Sequence, residues 1–206
     1  MKFYTARSTK TNKQTAIKYG VGLMIVDHWT DPRDYPYFAI DNGCYSAYAR
    51  RVRWDPSPFL HSLEKATELG LTPDFAVLPD IVAGGIESAH KSILWRNVLV
   101  EEYPKIPFYF AVQNGMTPDN IPQIGISGIF VGGTKEWKLL TIPIWRKYAQ
   151  DKGIGIHVGR MGSFDDMTYC AKHGINSIDS TTWVQRNGTF ETRMQEFQEW
   201  KNCNPK

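Results

Sequence analysis

No run of about 18 consecutive apolar residues occurs in the chain, which excludes a membrane-spanning helix. The polar and basic opening MKFYTARSTKTNKQ has no apolar stretch behind it, so no secretory leader is expected and a cytoplasmic setting is. Cysteine is scarce, with Cys44, Cys170 and Cys203 far apart and no Cys-x-x-Cys pair. Such a set excludes a disulfide framework, fits a reducing compartment, and leads us to expect no structural zinc. Neither sign of charge prevails: 24 Lys and Arg stand against 21 Asp and Glu. The net +3 permits nucleic-acid contact without arguing for it. Low-complexity tracts, internal repeats and long linkers are also missing, so 1–206 reads as one domain. At 42% hydrophobic residues it can bury a full-sized core.

Short apolar runs rich in strand-forming residues recur along the chain. They are FYTA (3–6), GLMIV (22–26), YFAID (37–41), DFAVLPD (74–80), FYFAVQ (108–113), GIFVGG (128–133), GIHVGR (155–160) and SIDST (177–181). Helical stretches fall at 58–69, 86–102, 135–151, 164–172 and 189–201, with a short one between the first two runs. Gly70, Gly153 and Gly174 come after such stretches where a left-handed cap is wanted, and Ser163-Phe164-Asp165-Asp166 has capping-box spacing. Strands that are apolar throughout and alternate with helices imply a parallel sheet covered on both faces. Eight of them predict a small (β/α)8 barrel of the TIM type; an open doubly wound sheet is the alternative.

The chemistry sits in the residues at the end of each run. YFAI ends in Asp41-Asn42-Gly43, FAVLP in Asp80, FYFAV in Gln113-Asn114-Gly115, GIFV in Gly132-Gly133-Thr134, GIHV in Gly159-Arg160, and NSI in Asp179-Ser180-Thr181. In a parallel barrel these points converge on the C-terminal rim, where active sites form. Any one of them is an ordinary turn. Together they place three carboxylates at the mouth of an apolar core, which costs desolvation unless each is paired or used.

Other features read as structural. Asp165 and Asp166 suit the first turn of a helix, and Gly153-Ile154-Gly155 precedes a strand, so it is no dinucleotide fingerprint. Asn187-Gly188-Thr189 reads as a turn. His157, in mid-strand, reads as a core or supporting histidine. Arg50, Arg51 and Arg53 form the one dense basic cluster, which reads as a solvated face, with a flank of the rim as the alternative.

From about Tyr37 to Trp183 these motifs resemble, in order, those of the tRNA-guanine transglycosylase superfamily, most closely its small phage and bacterial branch that inserts 7-deazaguanines into DNA. The family's Asp-Ser-Gly-Gly-aromatic segment is similar to Asp41-Asn42-Gly43-Cys44-Tyr45, with Asn42 and Cys44 as departures. The resemblance implies Asp41 as acid/base, Tyr45 stacking on the base, and Asp80 in Leu78-Pro79-Asp80 reading the base. It implies Gln113, and the backbone of Gly132 and Gly133, contacting the base, and Asp179 as nucleophile. The family's zinc motif after the nucleophile has no counterpart, since only Cys203 lies beyond Asp179. A DNA substrate is therefore expected over tRNA, with a free 7-deazaguanine as co-substrate and no cofactor, metal or membrane partner.

Exchange of a base with retained configuration needs two displacements at C1′, which a nucleophilic and a proton-exchanging carboxylate provide. Asp179 and Asp41 fill these roles. Asp80 can accept the N1–H and N2–H2 donors of guanine together, a pattern adenine does not present. A base inside a duplex must be flipped out, and Arg160 is placed to hold a phosphate or pair with an aspartate. Rival readings are a nucleosidase releasing the base to water, a non-catalytic nucleic-acid-binding barrel, and a phosphosugar enzyme using Gly132-Gly133-Thr134 as a phosphate cradle.

Overall fold

The computed structural model describes residues 1–6, 9–122, 125–185 and 189–204. Eight parallel strands close into a barrel in sequence order. They are β1 (Lys2–Ala6), β2 (Gly22–Ile25), β3 (Phe38–Ile40), β4 (Ala76–Val77), β5 (Phe108–Val112), β6 (Gly128–Val131), β7 (Gly155–Val158) and β8 (Ser177–Asp179). Tyr4 pairing with Asp179 helps to seal β1 to β8. The expected barrel is thus the observed fold, and the open sheet is excluded. Strands β2 to β8 each lie within their apolar run but are shorter, while β1 begins one residue ahead of its run at Lys2. Pro79 has no N–H to add to the ladder, so β4 stops early, two residues before Pro79.

The helices are α1 (Lys10–Lys18), α2 (Cys44–Arg50), α3 (Ser57–Glu68), α4 (Gly85–Glu102), α5 (Lys135–Lys152), α6 (Phe164–Lys172), α7 (Thr182–Gln185) and α8 (Thr189–Cys203). The short helices α2 and α7 were not expected. Helix α2 starts directly behind Gly43, whose φ of 72° lets the chain reverse from strand to helix. The Ser163–Asp166 capping box forms, and Gly70, Gly153 and Gly174 all have positive φ. The Asn187-Gly188 turn lies outside the described residues. Pro143 inside α5 cannot donate to the carbonyl of Leu139, and the Tyr169 hydroxyl takes that acceptor at 2.8 Å. No α-helix covers the β2–β3 or β5–β6 crossover among the described residues; the latter has only a 3-10 turn at Pro118–Asn120.

Side chains alternate along each strand. Leu23, Ile25, Ile40, Phe108, Phe110, Val112, Ile129, Val131, Ile156, Val158 and Ile178 pack outward in the larger core, which also takes in residues of the helices. The other set fills the barrel in layers. At its N-terminal end sits an aromatic plug of Tyr4, Tyr37, Phe75 and Tyr109, with Phe75 stacked on Tyr109 at 4.4 Å. Glycines make room for it: a Cβ on Gly22 would lie 2.2 Å from Tyr37, and one on Gly155 would lie 1.8 Å from the Tyr109 hydroxyl. Met24, Ala39, Val77, Ala111, Phe130 and His157 form the next layer. One step of the two-residue period further on come Asp41, Gln113, Gly132, Gly159 and Asp179. The polar rim is the third layer of the same alternation.

Candidate active site

Above the plug a cavity of about 510 Å³ opens at the C-terminal ends of the strands, a size within the range of small-molecule sites. Its wall includes Asp41, Asn42, Tyr45, Asp80, Gln113, Gly132, Gly133, Arg160 and Asp179, so all six polar strand ends contribute to one place.

Asp179, the last residue of β8, is held from two sides. One carboxylate oxygen, Oδ1, accepts from His157 Nε2 at 3.0 Å and from the Arg160 backbone N–H at 3.1 Å. His157 is fully buried, and its Nδ1 lies 2.9 Å from the Ser177 hydroxyl. Nε2 donates to the Asp179 carboxylate, and Nδ1 shares a hydrogen bond with the Ser177 hydroxyl. Phe130 stacks on the imidazole at 4.9 Å, so ring and carboxylate are locked together. No hydrogen bond within the described residues occupies Oδ2.

Asp41 lies just past β3, and its backbone N–H still donates to Ile25 at 2.7 Å. Its Oδ1 accepts the Gly43 N–H at 2.8 Å, and no cation pairs with it among the described residues. Burial pushes the carboxyl from 3.8 up to about 7, with Asp179, Asp80 and Asp27 adding to the rise and the Gly43 N–H opposing it. A carboxyl with that affinity exchanges protons near neutral pH.

Asp80 sits on the other side with both oxygens engaged, Oδ1 by the Asn42 amide at 3.0 Å and Oδ2 by Gln113 Nε2 at 3.2 Å. Burial raises its affinity for protons, while the Asn42 hydrogen bond and the charge of Lys91 counter the rise. Asn42 also donates to Leu78 O, and Trp54 Nε1 donates to Asn42 O, so the loop after β3 is tied to the loop after β4.

The geometry narrows two base contacts expected from the resemblance. The Gly132 N–H is spent in the sheet, donating to Val112 O at 2.8 Å; only the Gly133 N–H has no acceptor among the described residues. The Gln113 amide group donates to Ile81 O and Ser88 Oγ, each at 2.8 Å, as well as to Asp80, so in this arrangement it supports Asp80 and offers no free N–H to a ligand. Thr134 N–H likewise goes to Asn114 Oδ1 at 2.9 Å, so two of the three amides of the candidate phosphate cradle are closed.

Tyr45 and Tyr48 on α2 are 47% and 58% exposed at the cavity mouth. The Arg160 guanidinium lies 4.1 Å over the Tyr45 ring and makes no ion pair among the described residues. Arg160 has φ of 56°, a left-handed conformation that disfavours side-chain-bearing residues. Of the basic cluster, Arg50 pairs with Asp27 at 3.3 Å.

Two residues that bear on the site were not singled out in sequence: Asp27, whose charge adds to the rise at Asp41, and Lys138 in the cavity wall. Asp27 comes directly after the β2 run, one residue beyond Val26, and the rule that selected Asp41 would have selected it. Lys138 has no local signal. It lies in α5, is 1% exposed, and reaches the cavity wall with its Nζ 2.6 Å from Gly159 O.

Burial pushes the Cys44 and Cys170 thiols up to about 12, which leaves neither as a thiolate at neutral pH. Among the described residues no three of His, Cys, Asp and Glu are grouped to hold a metal ion, and no helix is long and apolar enough to cross a membrane. Comparisons with protein-family models and with curated proteins find no match.

Proposed function

We propose that the protein is a base-exchange enzyme that replaces guanine in a polynucleotide, DNA in preference to tRNA, with a free 7-deazaguanine. The observation that carries this reading is the contrast between two carboxyls of one cavity. Asp179 is pinned by His157 and a backbone N–H, with one oxygen left open, while Asp41 takes up and releases a proton near pH 7. A carboxyl with a fixed, open oxygen beside a carboxyl of raised proton affinity divides the work into nucleophile and acid/base.

The Asp179 oxygen attacks C1′ as the C1′–N9 bond breaks. The electron pair of that bond stays on the departing guanine, which takes the proton of Asp41. The incoming base then gives its N9 proton to the Asp41 carboxylate, and its N9 attacks C1′ and frees Asp179. The backbone of the nucleic acid is never cut, and no cofactor enters the balance. Asp80, preset by Asn42 and Gln113, retains lone pairs for the N1–H and N2–H2 donors of guanine. The Gly133 N–H suits the carbonyl oxygen. Tyr45 and Tyr48 at the mouth offer stacking surfaces to a nucleotide drawn out of its helix.

A single- or double-stranded oligonucleotide carrying labelled guanine, incubated with free 7-deazaguanine, tests the reading. Loss of label that requires the free base, with the deazaguanine recovered in the strand, is the expected result. Loss of label without incorporation would identify a nucleosidase, and retention of label under all conditions would leave a binding module. Mass spectrometry of nucleosides from cells producing the protein, phage-infected or not, distinguishes DNA from RNA as the natural target.

A further inference from the structure

Lys138 takes no part in the two displacements at C1′, yet it sets a buried ammonium in the cavity wall. It is 1% exposed, and its Nζ has a single acceptor among the described residues, the Gly159 carbonyl at 2.6 Å. No carboxylate lies within ion-pair distance of it there; the nearby Asp166 is taken by Lys135 at 2.9 Å. Burial and the neighbouring Arg160 both work against its charge, lowering its proton affinity to about 8. A largely protonated ammonium with unused donors, buried at the edge of a cavity, is paired when something in the cavity pairs it.

The order of strand ends shows what that would be. A guanine held as proposed has its N1–H and N2–H2 edge at Asp80 after β4 and its carbonyl at Gly133 after β6. Its glycosidic nitrogen lies toward Asp179 at the end of β8. Around the bicyclic ring, the edge between carbonyl and glycosidic nitrogen is the one bearing position 7. It then faces the sector between β6 and β8, where Gly159 and Lys138 line the wall. Gly159 has no side chain to fill this sector, and a Cβ there would press on Phe130 at 2.7 Å.

Resting on the base-exchange reading, we propose that Lys138 determines which free base is accepted, selecting 7-deazaguanines whose 7-substituent is a hydrogen-bond acceptor or an anion and rejecting those that carry a cation. A nitrile, carboxamide or carboxylate receives the ammonium N–H; an aminomethyl group, charged at neutral pH, meets a like charge in a dry wall. In guanine itself, N7 is the acceptor at this point, so the leaving base is served by the same contact.

The test uses the full chain with four free bases: 7-cyano-, 7-carboxamido-, 7-carboxy- and 7-aminomethyl-7-deazaguanine. Exchange into an oligonucleotide is measured as kcat/KM, and binding of each free base is measured by calorimetry. The expected result is a preference of at least about tenfold for the acceptor-bearing bases over the aminomethyl base, since like charges juxtaposed in a site cost several kcal/mol. Lys138→Met, similar in length and without charge, should shrink that ratio to near one, mainly through KM, with thermal unfolding reporting its fold. An aminomethyl base used as well as the others by the unaltered protein would overturn the proposal, whatever the variant does. So would a ratio that Lys138→Met leaves intact. Binding preference without exchange would keep the role of Lys138 and sink the exchange reading; exchange without preference would do the reverse. Binding of none of the four bases would overturn both.

Discussion

Asp41→Asn isolates the consequence of burying an unpaired carboxyl, because the amide keeps an oxygen to accept the Gly43 N–H but cannot ionise. In the folded chain the Asp41 carboxyl moves from 3.8 to about 7, with burial as the leading cause. A carboxyl whose folded affinity is raised contributes stability that is complete below about pH 4, and the contribution is lost as pH climbs through about 7. Slightly more than three decades at 1.36 kcal/mol each amount to about 4 kcal/mol. That is an upper bound, because Asp41 opens onto the cavity and solvent there screens part of the penalty; about 2 kcal/mol is the lower expectation. Urea unfolding of both proteins across about pH 4.5 to 8.5 reads the effect. At the acid end the unaltered protein and Asp41→Asn should lie close together, after which their curves diverge. At the alkaline end the variant should be more stable by about 2–4 kcal/mol with an unchanged m-value. Parallel curves over this range would refute the assignment of a raised affinity to Asp41, and with it the acid/base role. The same variant should lose most turnover, so that stability and activity move in opposite directions.

The other expectations concern single residues. Asp179→Asn should abolish both exchange and any protein–nucleic acid adduct on a denaturing gel, since an amide does not attack C1′; a surviving adduct would move the nucleophile to Asp41 or Asp80. Asp80→Asn should weaken guanine binding by about 2–4 kcal/mol, because it replaces an acceptor with a donor opposite a donor, and competition with unlabelled bases measures the loss. Gly155→Ala should lower stability by about 2–3 kcal/mol in thermal unfolding, because its Cβ would fall 1.8 Å from the Tyr109 hydroxyl in the packed barrel plug; an unchanged midpoint would mean that the plug is loose.

The barrel and its polar rim were legible because both derive from the two-residue period of a strand. Tyr109, Ala111 and Gln113 run from plug to rim on alternate positions of one segment, and Tyr37, Ala39 and Asp41 do the same on another. A local period states which residues point inward, and a parallel closed sheet sends every last inward residue to the same rim. Asp27 is out of phase with that rule, since Met24 and Val26 are the inward residues of its segment, and the period alone does not bring it to the rim. Helix α2 was missed for a different reason, being only 7 residues long and begun by Gly43 in a left-handed conformation, too short to show a helical period.

Partnerships belonged to tertiary structure alone. That the Gly132 N–H is used up by Val112, that Gln113 serves Asp80, and that His157 and Ser177 brace Asp179 depend on neighbours 20 or more residues away. Lys138 is the extreme case. In sequence it is one more lysine near the start of a helix, where solvent exposure is the ordinary outcome. Only the closing of α5 over the β6–β7 edge turns its side chain into the cavity wall, because burial is set by what packs against a residue and not by what precedes it.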